Sequence, residues 1–368
     1  MIFASKIKLL NIILLSSLFL YATATATATA KDDPDKKNSI PTQKLTVEAD
    51  NLDEADNSMK SYLIENFALL PEKLVNKLIT KRTIEAITSS DSGNVKKTLY
   101  YKVSYEIPEN FLVDTAKILW VLNIPEFRSH LYQLYKSDTV YIDTWNNVIG
   151  MSKSDTKTST GYFEAYRIRN WPSYKDPEKG KEDEPPVPPG PKNPLGLFVV
   201  HFDENSMQYF HGTNKEYLLS SKMRNLSHGC VRNYNGNIAK MKEFIIHRVI
   251  KADDLNYWLD SKRTLSYEVE KQDRFPITIM YKTFCLDTDE KGSYVELYKD
   301  IYNYSSKGNI NDRHNDHSLI ILTTKENLTK EYRTKFGNDI SDADLDVLTN
   351  RIMKTCDEYE RYYLSDLK

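Results

Sequence analysis

The stretch His211-Gly-Thr, followed by Ser227-His-Gly-Cys-Val-Arg-Asn233, decides both the fold and the chemistry that this chain can support. Fifteen residues separate His211 from the Ser-His-Gly-Cys tetrad, so a thiol and a candidate base lie close together in sequence. A thiol attacks as the thiolate, and a neighbouring imidazole can take its proton and leave an ion pair. We therefore predict that Cys230 is a nucleophile and that His211 is its base.

The residues beside Cys230 predict a turn that binds an oxyanion. Gly229 lets the backbone turn without a Cβ and frees the N–H groups of Gly229 and Cys230 to face a developing negative charge. His228 either helps to stabilise that charge or fills the floor of the site. The carbonyl of Gly212 is the candidate for holding His211 in the working tautomer. A zinc site would need short paired ligand spacings that the sequence lacks, so we predict no metal and no cofactor.

Four further residues are predicted to contact substrate. Arg232, two residues after the nucleophile, could pair with a substrate carboxylate or with a structural carboxylate of the protein. Tyr209 lies two residues before His211, so on a strand it would share the face of that histidine and could line a pocket. Trp171 is either a wall of that pocket or an anchor for the loop that follows it. Ser227 of the tetrad completes the set.

The pattern His-x15-Ser-His-Gly-Cys-Val-Arg resembles the signature of the L,D-transpeptidase catalytic domain, also called the YkuD domain. Val148-Ile-Gly150 and Thr160-Gly-Tyr-Phe163 are similar to strands and a turn near the start of that domain. Gly190-Pro-Lys-Asn-Pro-Leu-Gly196 resembles the end of a capping insertion in the larger, YcbB-like branch. The resemblance spans about residues 117 to 304. It implies a cysteine that forms a thioester with a peptidoglycan stem peptide and passes the acyl group to an amine.

The same resemblance implies stem peptides as donor and acceptor, carbapenem-type acylating agents as inhibitors, and direct cross-links between diaminoacid residues as product. Water in place of the amine would make the site an L,D-carboxypeptidase, and a chain without turnover would be a non-catalytic wall-binding protein. Papain-like and NlpC-like enzymes place the cysteine before the histidine, the reverse of the order in this sequence. Sortases have the same order, but their cysteine lies much farther from the histidine. The formal net charge of -2 gives no electrostatic case for nucleic acid.

Short runs of alternating apolar and polar residues predict a mainly β protein with flanking helices, an α+β fold. The resemblance implies an L,D-transpeptidase-like β-sandwich, which we place at 116–305. Seven prolines between residues 176 and 195 exclude a central strand there and predict a Pro-rich insertion at about 171–196, either a lid or a surface loop without function. Residues 31–115 are predicted to be a disordered linker and a small lead-in region, with a helical pattern over 45–88. Residues 306–368 are predicted to be a polar loop and a helical C-terminal tail.

Residues 1–30 have the pattern of a secretory signal peptide. Lys6 and Lys8 precede an apolar run from Leu9 to Tyr21, and Ala-Thr repeats offer cleavage sites that end at Ala30. We predict export to the periplasm or cell envelope, with an uncleaved N-terminal anchor as the alternative. The three cysteines are an odd number, so at least one thiol is free, and a disulfide between the other two remains open.

Overall fold

The computed structural model describes residues 40–90, 97–113, 117–136, 138–153, 155–176, 183–252, 257–258, 262–306 and 315–367. The predicted signal peptide and most of the predicted linker lie outside the described residues. Strands outnumber helices within these ranges, which confirms the prediction of a mainly β protein with flanking helices. No helix in the described ranges is both long enough and apolar enough to span a bilayer.

The lead-in region is a small sheet with two helices. Its elements are β1 (Thr42–Ala49), α1 (Leu52–Asn66), α2 (Glu72–Leu78), β2 (Arg82–Ser90), β3 (Lys97–Pro108) and a 3-10 turn (Glu109–Phe111). The strands are antiparallel in the order β1-β3-β2. The helical pattern predicted over 45–88 is therefore wrong at its two ends. Leu45 and Val47 alternate with polar residues at the strand period of two, and this period prevails there.

The central part of the chain supplies two larger sheets. Its elements are β4 (Lys117–Asn123), β5 (Arg128–Tyr135), β6 (Asp138–Asn146), β7 (Ile149–Gly150), β8 (Gly161–Glu164), β9 (Arg167–Asn170), β10 (Phe198–His201), β11 (Tyr209–His211), a 3-10 turn (Glu216–Ser220), β12 (Asn225–Ser227), β13 (Val231–Arg232), α3 (Asn235–Phe244), a π-helical turn (Ile245–Ile250), β14 (Leu265–Glu268) and β15 (Pro276–Lys282). One sheet has the order β13-β11-β10-β9-β14, and β15, β4, β5 and β6 are consecutive neighbours in the other. In addition, β12 pairs with β7 and β8 pairs with β15.

The two central sheets pack face to face through large apolar side chains. The indole of Trp120 on β4 stacks on the ring of Phe210 on β11, with 3.9 Å between ring centroids. Phe198 and Val200 on β10 belong to the same buried cluster as Phe210. Because side chains alternate along a strand, the residues between them face the opposite side of their sheet. That second face carries the candidate site.

The C-terminal part adds a third, smaller core. Its elements are β16 (Phe284–Asp289), β17 (Gly292–Leu297), a 3-10 turn (His317–Leu319), β18 (Ile320–Ile321), α4 (Lys325–Phe336), α5 (Asp342–Thr355), β19 (Arg361–Tyr363) and α6 (Leu364–Leu367). Strands β16, β17 and β19 form an antiparallel sheet, while β18 extends the second central sheet beside β15. Residues of 284–297 and of 328–367 share one apolar cluster, so the predicted tail packs on strands that precede it. The domain boundary at 305 stays a prediction, and Cys285 and Cys356 are free thiols.

Candidate active site

The register between β11 and β13 brings the motif residues onto one sheet face. These strands are parallel, with Phe210 opposite Val231 and His211 opposite Arg232. Phe210 and Val231 belong to the large apolar core, so His211 and Arg232 face the other side. Tyr209 and Cys230, each two residues earlier in the chain, share a small apolar cluster on that side. Residues fifteen or more apart in sequence thus become lateral neighbours.

Cys230 is half-buried, with its thiol turned towards the backbone of the preceding loop. The Sγ–H group donates to the carbonyl oxygen of Met207 at 3.2 Å. The Cys230 side chain packs against a small apolar cluster formed by Leu195, Val199 and Tyr209. Burial in these surroundings raises the pKa of the Cys230 thiol to about 11, although a backbone hydrogen bond from Tyr209 and nearby arginines act in the opposite direction. The thiol is therefore protonated at neutral pH.

His211 lies at the end of β11 and is 3% exposed. Its Nδ1 is 2.5 Å from the carbonyl oxygen of Gly212, a contact that places the ring proton on Nδ1 and leaves a lone pair on Nε2. Burial, together with the positive charge of Arg232, lowers the pKa of His211 to about 3, while backbone hydrogen bonds with Gly212 and Leu195 act in the opposite direction. The imidazole is therefore neutral in the resting site.

These two pKa shifts bear on the charge state predicted from sequence. The ion pair of thiolate and imidazolium is disfavoured, because both Cys230 and His211 are held neutral. The physical reason is desolvation, since both groups lie where charged forms lose their hydration. Both side chains are therefore uncharged at neutral pH.

The turn between β12 and β13 is shaped by a serine hydroxyl. The Oγ of Ser227 donates to the carbonyl oxygen of Cys230 at 2.6 Å and accepts from the N–H of Gly229 at 3.2 Å. Ser227 is 1% exposed, so its hydroxyl lies within the turn. The substrate contact predicted for Ser227 and the oxyanion role predicted for the Gly229 N–H stay predictions.

Gly229 occupies a conformation and a space that favour glycine. Its φ is +106°, and an added Cβ would approach the side chain of Gln208 to 3.2 Å. The hydroxyl of Thr158 donates to the carbonyl of Gly229 at 2.8 Å and accepts from the N–H of Gly150 at 2.9 Å. Thr158 and Gln208 thus support the turn from outside the motif. Sequence reasoning missed both, because polar loop residues carry no periodic signal.

The backbone that carries His211 is held by two asparagines. The N–H of Asn233 donates to the carbonyl of His211 at 2.8 Å. The side chain of Asn235 accepts from the N–H of Thr213 at 3.0 Å and donates to the carbonyl of the same residue at 2.7 Å. A Cβ on Gly212 would collide with the Asn235 side-chain oxygen, so residue 212 must be small for this brace to form. The carbonyl that binds the His211 ring is thereby fixed.

A second polar group on the site face was also missed from sequence. Arg169 on β9 lies opposite Val199 on β10, which in turn lies opposite His211. Its Nε donates to Nε2 of His201 at 3.0 Å, and its guanidinium carbon lies 5.5 Å from the centre of the Tyr209 ring. Burial, with the nearby charge of Arg169, lowers the pKa of His201 to about 3, so this ring nitrogen is an unprotonated acceptor.

The Pro-rich segment approaches the site through one aromatic residue. Tyr174 pairs with Val187 in an antiparallel bridge and packs against the cluster that contains Cys230. The fully buried side chain of Asn193 donates to the carbonyls of Pro172 and Pro188 and braces the two arms of the segment. Residues 177–182 lie outside the described part. The role of this segment as a lid stays a prediction.

Trp171 and His228 occupy the margins of the site. Trp171 directly follows β9, has a φ of +45°, and has its backbone fixed by Leu197 on one side and by the Thr264 hydroxyl on the other. These contacts involve its backbone only, so its predicted place as a pocket wall stays open. His228 is exposed at the tip of the turn. In the ranges that the structure covers, no group of three or more His, Cys, Asp or Glu side chains is placed to hold a metal ion.

Comparison with known proteins agrees with this geometry. Residues 120–250 match the model of the L,D-transpeptidase catalytic domain, YkuD. The probable L,D-transpeptidase ErfK/SrfK of Salmonella typhimurium is 25% identical over 215 residues, which are 51% of this chain and 66% of that protein.

Two solved structures are similar at lower levels. The helical cell shape determining protein Pgp2 from Campylobacter jejuni is 10% identical with a TM-score of 0.26, over 60% of this chain and 56% of that one. Bdellovibrio bacteriovorus Bd1075 is 15% identical with a TM-score of 0.25, over 45% and 48%. This chain therefore spans less than two thirds of the length of the relatives that it matches. On its sequence motif and family match, the segment 120–250 is similar to the YkuD L,D-transpeptidase catalytic domain.

Proposed function

We propose that the chain is an exported peptidoglycan L,D-transpeptidase that forms direct cross-links between diaminoacid residues through a thioester on Cys230. The observation that carries this proposal is the parallel register of β11 and β13, which gives His211, Cys230 and Arg232 a common sheet face. The family match supports the reaction class and the kind of substrate. The signal-like pattern of residues 1–30 supports export to the periplasm or cell envelope.

The first half of the proposed reaction acylates the enzyme. The substrate carbonyl lies between the L-centre of a diaminoacid and a terminal D-alanine. As Sγ of Cys230 attacks it, Nε2 of His211 accepts the thiol proton, because neither group is charged beforehand. The backbone N–H groups of Gly229 and Cys230, with His228, stabilise the tetrahedral oxyanion. The imidazolium then gives its proton to the departing amine of D-alanine, and a thioester remains.

The second half transfers the acyl group. The amine of a second stem peptide attacks the thioester carbonyl, and His211 accepts a proton from that amine. Collapse of the tetrahedral intermediate forms the new amide and releases the sulfur, which takes the proton back from the imidazolium. In each half His211 holds a proton only transiently, first as general base and then as general acid. Water attacking the same thioester would give carboxypeptidase activity instead.

Carbapenem-type agents are proposed to acylate the same sulfur. The strained ring of such an agent presents a carbonyl to Cys230 without requiring a peptide leaving group. We expect one covalent adduct per chain at Cys230 and none at Cys285 or Cys356, whose thiols the reaction does not use. Burial also raises the pKa of the Cys285 thiol, so that cysteine is a fitting internal control.

The test is mass spectrometry of muropeptides after incubation with the purified protein. A product with a direct bond between two diaminoacids supports the proposal. A trimmed tripeptide without cross-links replaces it with the carboxypeptidase, and unchanged muropeptides without a carbapenem adduct favour a wall-binding protein. Cys230→Ala should abolish any product, whereas Cys285→Ala should leave the product unchanged. Product from the Cys230→Ala variant would overturn the assignment of the nucleophile.

A further inference from the structure

Arg169 stands in line with the catalytic residues although it comes from a distant part of the chain. Across neighbouring strands the site face reads Arg169, Val199, His211 and Arg232, in the register of β9, β10, β11 and β13. Arg169 and Arg232 are therefore attached three strand spacings apart, or about 14 Å. The two guanidiniums approach the site from different strands.

The guanidinium of Arg169 is fixed in place before any substrate binds. Its Nε donates to the neutral Nε2 of His201 at 3.0 Å. Its plane lies near the ring of Tyr209, 5.5 Å from the ring centre. Tyr209 packs in the same cluster as Cys230, so this guanidinium lies beside the residues that surround the thiol. A planar fork that is already oriented loses little entropy when it binds a carboxylate.

Within the described residues, neither arginine has an ion-pair partner of its own. Both side chains are half-buried, and no Asp or Glu in the described ranges lies within salt-bridge distance of Arg169 or Arg232. Arg167, two residues before Arg169 on the same strand, does have one, because it pairs with Glu268 on β14. The carboxylate of Glu268 lies on the same sheet face, but it is held by Arg167, so the two half-buried guanidiniums of Arg169 and Arg232 can each accept a carboxylate from a ligand.

We propose that Arg169 forms a carboxylate-binding subsite, separate from that of Arg232, and that the donor must present two free carboxylates to this site. The proposal rests on the proposed function and deepens it. In a donor stem peptide, the terminal D-alanine carries one carboxylate and a dicarboxylic diaminoacid carries another. Each guanidinium can bind one carboxylate through two parallel hydrogen bonds. Arg169 is thus a specificity residue and takes no part in proton transfer.

The test compares donor peptides in which each carboxylate is amidated singly. With the wild-type protein, amidation of either carboxylate should lower kcat/KM by on the order of 10- to 100-fold. With Arg169→Gln, one of the two analogues should be turned over as well as the unmodified donor, while discrimination against the other should persist. Arg169→Lys should restore part of the lost discrimination. Arg167→Gln is the matched control and should discriminate like the wild type.

Two outcomes would overturn the subsite. One is a loss of rate in Arg169→Gln that is equal for all three donors, which would indicate a general structural role. The other is full discrimination in that variant. If the wild type turns over no donor at all, the proposed function has failed, and the subsite is judged by calorimetric binding to the Cys230→Ala protein. In the Cys230→Ala protein, amidation of one of the two donor carboxylates should weaken binding. In the Cys230→Ala, Arg169→Gln double variant, the same amidation should have no effect. Equal weakening in the single and the double variant would reject the subsite.

Discussion

The two faces of the sheet β13-β11-β10-β9-β14 differ in what they bury. On the core face, Phe198, Phe210 and Val231 are each 0% exposed and contact other apolar side chains. On the site face, His211 is 3% exposed and His201 is 8% exposed, and both are titratable. Adjacent residues of the same strands therefore place apolar side chains on one face and titratable side chains on the other. Burial stabilises the first set and suppresses charge in the second.

We expect the largest effect from a change of the sulfur atom of Cys230. We expect Cys230→Ser to lower kcat by on the order of 1,000-fold or more, because a neutral hydroxyl is a far weaker nucleophile than a thiol. Stability should hardly change, since the side chain volume is similar. Turnover assays and thermal unfolding of this variant and of Cys285→Ser check both expectations. Full turnover by the serine variant would show that Cys230 is not the nucleophile.

A core-face substitution should have the opposite profile. We expect Phe210→Ala to lower the free energy of unfolding by about 3–5 kcal/mol, because it removes the ring that stacks on Trp120. Tyr162→Ala, at a side chain that is 69% exposed, should change it by only about 0.5 kcal/mol. Denaturant unfolding measures both. A change of less than about 1 kcal/mol in Phe210→Ala would show that the two sheets do not depend on this contact.

The raised pKa of the Cys230 thiol can be tested through the pH dependence of its alkylation rate. Because burial raises the pKa of Cys230 to about 11, its alkylation by iodoacetamide should still accelerate above pH 9. At pH 8 the rate should be roughly 100-fold below that of an unperturbed thiol. The measurement needs the Cys285→Ala and Cys356→Ala substitutions, so that only one thiol reacts. A plateau near pH 7 would instead show a resting ion pair.

The buried histidines should make stability depend on acid. His201 and His211 each have a pKa lowered to about 3 in the folded state, so the unfolded chain takes up their protons first. Stability is then complete above the unfolded pKa of about 6.5 and is lost as pH falls towards 3. At pH 4.5 each histidine should account for roughly 2–3 kcal/mol of that loss at most. The test is to measure the free energy of unfolding at pH 7 and pH 4.5 for the wild type and for the His201→Gln, His211→Gln double variant. An equal loss of this free energy in the two proteins would contradict the prediction.

The sequence predicts local features, such as a short motif, better than contacts between residues that are distant in the chain. The spacing of His211 and Cys230 was informative because a short motif fixes the two neighbouring strands that carry it. Arg169 and His201 join the site only through strand pairing across β9 and β10, which residue types do not encode. The raised pKa of Cys230 could not be predicted for a related reason, since it comes from burial, which depends on packing from the whole sheet. In the lead-in region, the helical pattern of α1 and α2 was extended over the strands β1 and β2 that flank them, because these strands lie next to the helices in the chain.

The hydrogen bond from the Cys230 thiol to the Met207 carbonyl has a consequence for the oxidation of this sulfur. Peroxides oxidise thiolates far faster than protonated thiols, and the first product is a sulfenic acid. A sulfur that keeps its proton, with that proton directed at a backbone oxygen, resists such oxidation while no peptide is bound. The same contact that slows reaction with small oxidants thus keeps the sulfur in its reduced form.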